Sequence, residues 1–193
     1  MLGATQRRTS TTKLAGLCGF LPPIIGFTSV LGALSMSPWF DWRRNALSDL
    51  GVGSSSLIFN LGLILGGLPL LIFGLSLYIY YRRAALGFGW LLLALSGASL
   101  TGIGAFPEDK GAIHLYFSVA FFTLLASSLL SIGLGMFLRR RYKLAAFTLL
   151  IGASAALVWL MPHEGTAIPE ATSSTLGSIW IITITTLHLK RII

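Results

Sequence analysis

Apolar residues run along this chain in long unbroken stretches instead of alternating or recurring every third or fourth position. A helix needs roughly 20 mostly apolar residues to cross a hydrocarbon core of about 30 Å. Six stretches meet that need, at residues 14–36, 57–81, 84–106, 113–138, 144–161 and 171–189, and none of them holds Asp, Glu, Lys or Arg. Spanning strands are excluded, because such strands are short and alternate. The pattern predicts an all-α, polytopic membrane protein, with six transmembrane helices forming one domain over residues 1–193.

Composition agrees with the pattern. Hydrophobic residues make up 54% of the 193 residues and charged residues 10%, against roughly 25% charged in a soluble domain. So few charges cannot cover a soluble surface, and so apolar a chain does not stay disordered. Cys18 stands alone inside the first stretch, which excludes an intramolecular disulfide and makes it a small buried hydrophobe.

The net charge of +8 turns out to be sorted by side. Arg7, Arg8, Lys13, Arg82, Arg83, Arg139, Arg140, Arg141, Lys143, Lys190 and Arg191 flank the stretches on one side. The other side has Arg43, Arg44 and Lys110, together with all six acids, Asp41, Asp49, Glu108, Asp109, Glu164 and Glu170. Cytoplasmic loops carry the excess of Lys and Arg, so both termini are expected in the cytoplasm and the acids outside. This sorting explains the basic excess without nucleic acid. The first stretch is expected to be retained, since it is longer than the roughly 7–15 residues of a signal peptide's apolar core.

Inside the stretches, Pro22-Pro23 and Pro69 predict kinks. Gly62, Gly66, Gly67, Gly97, Gly102 and Gly104 predict close helix contacts. Asn60 is expected to bond across a helix interface, and His188 to lie at the cytoplasmic boundary beside Lys190 and Arg191. In the first outer connection, Trp39, Trp42, Ala46 and Leu50 recur at helical spacing between Pro38 and Gly51, which predicts an amphipathic helix at the interface. The second and third connections, Phe106–Gly111 and Met161–Glu170, look alike, each with Pro, an acidic or His-acid pair and Gly.

The candidate chemistry therefore gathers on the outer face: Asn45, Ser48, Asp49, Glu108, Asp109, His114, His163, Glu164 and Glu170. The ligand-binding candidates are Asn45, Ser48, Asp49, Glu108, Asp109, His114, His163 and Glu164. Ser48, Asp109 and His114 would be the catalytic candidates, as a nucleophile with a base and an acid. His114, His163, Asp109 and Glu164 are the residue types that would hold a divalent metal, which is the weaker expectation. No H-e-x-x-H or G-x-S-x-G spacing singles out a reaction, and acids ahead of the fourth and sixth stretches also favour those helix N-termini.

Asn45-Ala46-Leu47-Ser48-Asp49-Leu50-Gly51 and Phe106-Pro107-Glu108-Asp109…His114 resemble motifs of a family of small prokaryotic, largely archaeal, six-span membrane proteins of unknown function. That resemblance covers about residues 14–189 and implies fold and topology without a reaction. More distantly, Ser48-Asp49-x-Gly51 and His114 are similar to motifs of the autophagy-modulator and GPI-anchor-remodelling membrane protein family, which implies work on lipids. Pro107-Glu108-Asp109 departs from the residues of that second family. The expectation is a multi-pass cell-membrane protein that binds or remodels lipid headgroups at the outer leaflet. A non-enzymatic scaffold subunit, partnering other membrane proteins or itself, is the alternative, and a metal-dependent intramembrane hydrolase a weaker one. A transporter is disfavoured, because no ionisable group lies near mid-membrane.

Overall fold

A computed structural model of the chain describes the backbone of residues 2–81 and 85–190, and the side chains of these apart from 2–15, 17 and 85. Arg82, Arg83 and Arg191, and the side chains of Arg7, Arg8 and Lys13, lie outside the described residues.

The described chain is all-α. Six helices form: α1 (Leu2–Ser35), α2 (Ser56–Tyr81), α3 (Ala85–Ala105), α4 (Ala112–Leu138), α5 (Tyr142–Leu157) and α6 (Ala167–Leu189). Short 3₁₀ segments occupy Leu47–Gly51, Gly53–Ser55, Glu108–Lys110 and Val158–Leu160. Five of the six helices supply segments long and apolar enough to cross a membrane: Cys18–Ser35, Gly53–Tyr81, Leu86–Ala105, Ala112–Leu138 and Tyr142–Leu160. The sixth, α6, is 23 residues long but rich in hydroxyls. Thr175, Thr183 and Thr186 return theirs to the carbonyls of Ala171, Ile179 and Ile182, which satisfies them inside their own helix.

Each helix packs antiparallel against the next, and α6 closes the ring onto α1. The connections 36–55, 106–111 and 158–166 consequently meet at one end of the bundle, the acid-bearing end. Small residues set the tightest seam, between α2 and α3. A Cβ on Gly97 would overlap the Leu71 backbone nitrogen and lie 2.9 Å from the Gly67 oxygen. Gly97→Val should therefore force the two helices apart and cost on the order of 1–3 kcal/mol or more, read as a thermal-melt shift of several degrees in detergent. An unchanged melting temperature would mean that this seam is not closed.

The core gathers at mid-bundle. Trp90 and Trp180 are both buried, with ring centroids 5.8 Å apart, and Phe73 meets Trp90 edge-on at 6.1 Å. A smaller cluster of Ala33, Leu50 and Phe59 sits under the 47–51 turn. His188 is buried near the basic end, edge-on to the Tyr80 ring at 6.5 Å. Pro22, Pro23 and Pro69 all lie inside continuous helices.

Candidate functional site

The first connection is not the amphipathic helix that its spacing predicts. Residues 36–46 form turns, and Leu47–Gly51 and Gly53–Ser55 wind into short 3₁₀ segments. Short polar side chains compete for the backbone groups a helix would need. The Asp41 carboxylate accepts the Arg43 N–H at 2.8 Å, and the Asn45 side-chain oxygen accepts the Asp41 N–H at 2.9 Å. Asn45 Nδ2 donates to Asp49 Oδ2 at 2.6 Å, and the Ala46 N–H donates to the same oxygen at 3.0 Å. Trp39 and Trp42 remain exposed, in edge contacts with Phe40.

The 47–51 turn is held from three sides. Glu170, in the first turn of α6 ahead of the apolar run 171–189, accepts the Leu47 N–H at 2.6 Å and the Thr166 hydroxyl at 3.2 Å. Asn60, at the start of α2, donates its amide to the Gly51 carbonyl at 2.9 Å, so it ties helix to loop and not helix to helix. Glu108, from the second connection, lies beside Ser48 and Asp49, while its Oε2 is buried with no hydrogen-bond partner among the described residues. The third connection docks by its backbone: the Gly165 N–H donates to the Arg43 carbonyl at 2.7 Å and the Ala167 N–H to the Asn45 carbonyl at 2.9 Å. A Cβ on Gly165 would overlap the Arg44 backbone, so this approach requires glycine. The second connection is a 3₁₀ turn without such docking, and the likeness of the two hairpins ends at their sequences.

Two carboxyls in this cluster are displaced in the same direction. Burial, reinforced by Asp49, pushes Glu108 up to about 7 against a lowering hydrogen bond from Ser48. Burial also pushes Glu170 up to about 7, opposed by the Leu47 N–H and the Thr166 hydroxyl and assisted by the negative charges of Glu108 and Asp49. Desolvation and like charge both disfavour the ionised form. Near neutral pH the cluster therefore holds protons that ordinary carboxyls would have released.

Of the other candidates, Asp109 lines an open pocket together with Asn45, Asp49 and Glu108. His114 is buried at the start of α4, with Nδ1 2.8 Å from the Phe106 carbonyl and Nε2 3.2 Å from the Ser118 hydroxyl. A carbonyl only accepts, so Nδ1 carries a proton, and in the neutral ring Nε2 accepts from Ser118. Both nitrogens thus serve to tie the helix entry together. Asp109 is exposed and paired with Lys110 at 3.1 Å. His163 and Glu164 are exposed on the third connection, and His163 donates to the Met161 carbonyl at 2.7 Å. Among the described residues no group of three or more His, Cys, Asp or Glu side chains is placed to hold a metal ion.

Below Ser48 and Glu170 lies a cavity of about 330 Å³. Both residues, each 8% exposed, form its polar end together with Ser118. Its walls are mostly apolar, with Pro22 and Val30 on α1, Leu63 on α2, Phe121 on α4, and Trp180 on α6 at the inner end, while Ser174, Thr175 and Ser178 add hydroxyl-bearing residues on α6. A model of a family described as a protein of unknown function, DUF998, matches residues 20–187. The chain belongs to the DUF998 family. That match takes in all three connections and the residues that line the cavity. No curated protein and no solved structure matches the chain.

Sequence reasoning missed the cavity and the part played in it by Ser118. Pro22-Pro23 was the available signal, since the chamber begins beside that pair.

Proposed function

We propose that this DUF998 protein is a six-span protein of the cell membrane, with both termini in the cytoplasm, that binds a lipid at the outer leaflet. The observation that carries the reading is the apolar cavity whose polar end is Ser48 and Glu170. Ligand sites combine apolar walls with a few placed polar groups, and a lipid is the ligand that matches both parts in a membrane. Asn45, Ser48, Asp49 and Glu108 form the nearest headgroup surface, with Asp109 on its rim. The likeness of Ser48-Asp49-x-Gly51 to lipid-remodelling proteins points the same way. Mass spectrometry of gently solubilised protein should find a co-purifying lipid bound one to one. Protein that leaves the membrane reproducibly free of lipid would defeat the reading.

The topology rests on charge sorting and on helix length. The apolar run 171–189 of α6 extends about 28 Å at 1.5 Å per residue, close to the roughly 30 Å of a hydrocarbon core, and leaves Glu170 just outside it. In a Cys18→Ser background, Lys110→Cys and Glu164→Cys should react with a membrane-impermeant maleimide on intact cells, and Lys143→Cys only after permeabilisation. Labelling of Lys143→Cys on intact cells would rule the orientation out.

A further inference from the structure

We infer that the cavity takes one single-chain lipid with an uncharged, hydroxyl-bearing head, admitted sideways through the outer half of the seam between α1 and α6. The inference rests on the lipid-binding reading and deepens it.

The shape of the seam comes first. Near the basic end α1 and α6 touch: a Cβ on Gly16 would overlap Leu189, and one on Gly19 would overlap Thr185. Pro22-Pro23 follows, and beyond it Gly26 lines the cavity with nothing within 4 Å of where its Cβ would stand. Glycines that serve helix packing show the opposite, as Gly67, Gly74 and Gly97 do on the α2–α3 seam. Phe27 and Leu31 of α1 and Thr175 of α6 line the cavity and are also exposed, so it opens between these two helices towards the lipid.

Size selects one chain. From Glu170 to Trp180 is ten residues of α6, about 15 Å of helix, or half of a hydrocarbon core about 30 Å thick. The chamber is therefore as deep as one leaflet. Its volume of about 330 Å³ lies at the low end of ligand pockets, which run from about 300 to 1,000 Å³. A chamber of that depth and volume suits one aliphatic chain and not two side by side. Protein interiors are otherwise close-packed, so an apolar space open to the bilayer is expected to be filled by a tail.

Selection among lipids must then come from the head. A tail leaving the bilayer for this cavity gains no hydrophobic free energy, because the bilayer is equally apolar. The groups at the polar end are the Ser48 and Ser118 hydroxyls and the Glu170 carboxyl, with Asp49 and Glu108 behind Ser48. No Lys or Arg lines the cavity. On the exposed rim of the connections, Lys110 pairs with Asp109 at 3.1 Å and Arg44 lies 3.9 Å from Asp41. An anionic head would meet carboxyls with no counter-charge lining the cavity, whereas a lipid hydroxyl donates to carboxylates and both donates to and accepts from serine hydroxyls.

The test is competitive binding to the purified full-length protein in detergent at pH 8, with 1-oleoylglycerol, oleate and dioleoylphosphatidylcholine as probes. Oleoylglycerol should bind at least tenfold more tightly than either of the others. Gly26→Leu and Ser178→Leu, which fill the chamber from opposite walls, should each weaken it at least tenfold, with melting temperatures no lower than that of the parent. Equal or tighter binding of oleate or of the two-chain lipid would overturn the inference while leaving the lipid-binding reading in place. Unchanged oleoylglycerol binding by both folded variants would move the site out of this cavity and overturn it as well. If no probe binds and the purified protein carries no lipid, the underlying reading falls with it.

Discussion

Glu170→Gln should raise the melting temperature at pH 8 and remove much of the pH dependence of stability between pH 4.5 and 8. The wild-type carboxyl has its value raised from 4.5 to about 7 in the folded chain. Folding therefore favours the protonated form. Stability from this group is fully present below about 4.5 and is lost as pH rises through about 7, after which the loss is constant. For a group this buried the difference is on the order of 3 kcal/mol, or a shift of about 5–10 °C in a chain of this length. Glutamine reproduces the protonated form: its oxygen accepts the Leu47 N–H and its amide donates to Thr166. It keeps both bonds and never ionises beside Asp49 and Glu108.

Glu170→Ala should behave differently: it leaves the part-buried Leu47 N–H without an acceptor, at a cost of about 1–3 kcal/mol near pH 4.5, and because it removes the same ionisation the deficit against the parent shrinks towards pH 8. Glu108→Gln should remove a second part of the slope, since Glu108 is raised to about 7 for a related reason. Asp41, Arg43, Arg44 and Lys110 lie on the exposed rim of the same connections. Melting curves at half-unit pH intervals decide the matter. A flat wild-type profile, or one that Glu170→Gln leaves unaltered, would mean that this carboxyl is ionised in the folded protein across the whole range.

What could be read in advance follows from the solvent. Helix positions were legible because a membrane segment must be long and apolar, and helix ends fell within a few residues of the expected stretches. The exception is α1, whose helix reaches back to Leu2. The convergence of Ser48, Asp49 and Glu108 was legible because antiparallel neighbours leave the three acid-bearing loops at one end. Inward and outward faces were not. In water a helix shows its buried side by amphipathicity, but in lipid both sides are apolar. Leu57 and Trp180 read alike in the sequence, although the first is 69% exposed and the second fully buried. The same blindness hid the cavity, whose lining residues look like lipid-facing ones. In the first connection the error ran the other way. A 3.6-residue spacing of Trp39, Trp42, Ala46 and Leu50 outweighed Asp41, Asn45 and Asp49, whose side chains bind the local backbone and prevent the helix. His114 was noticed for its chemistry and serves Phe106 and Ser118.

Trp180→Ala should be among the most destabilising single substitutions in the bundle, at about 3–5 kcal/mol. Trp180 is fully buried, its ring lies 5.8 Å from that of Trp90, and its Nε1–H donates to the Thr148 hydroxyl at 3.1 Å. Truncation removes the ring contacts, leaves the buried Thr148 hydroxyl without its donor, and opens a void. That void joins the existing chamber, whose inner end Trp180 forms, so neighbouring side chains cannot collapse onto it and the cost falls towards the upper end of the range. Trp180→Phe keeps an aromatic ring against Trp90 and loses chiefly the hydrogen bond, at about 1 kcal/mol. Trp39, 52% exposed at the acid-bearing end, provides the contrast: Trp39→Ala should stay within about 0.5 kcal/mol of the parent. Thermal unfolding followed by far-ultraviolet circular dichroism separates the three variants. Equal melting temperatures for Trp180→Ala and Trp39→Ala would show that the ring of helices is not packed around Trp180, and the cavity drawn above it would lose its floor.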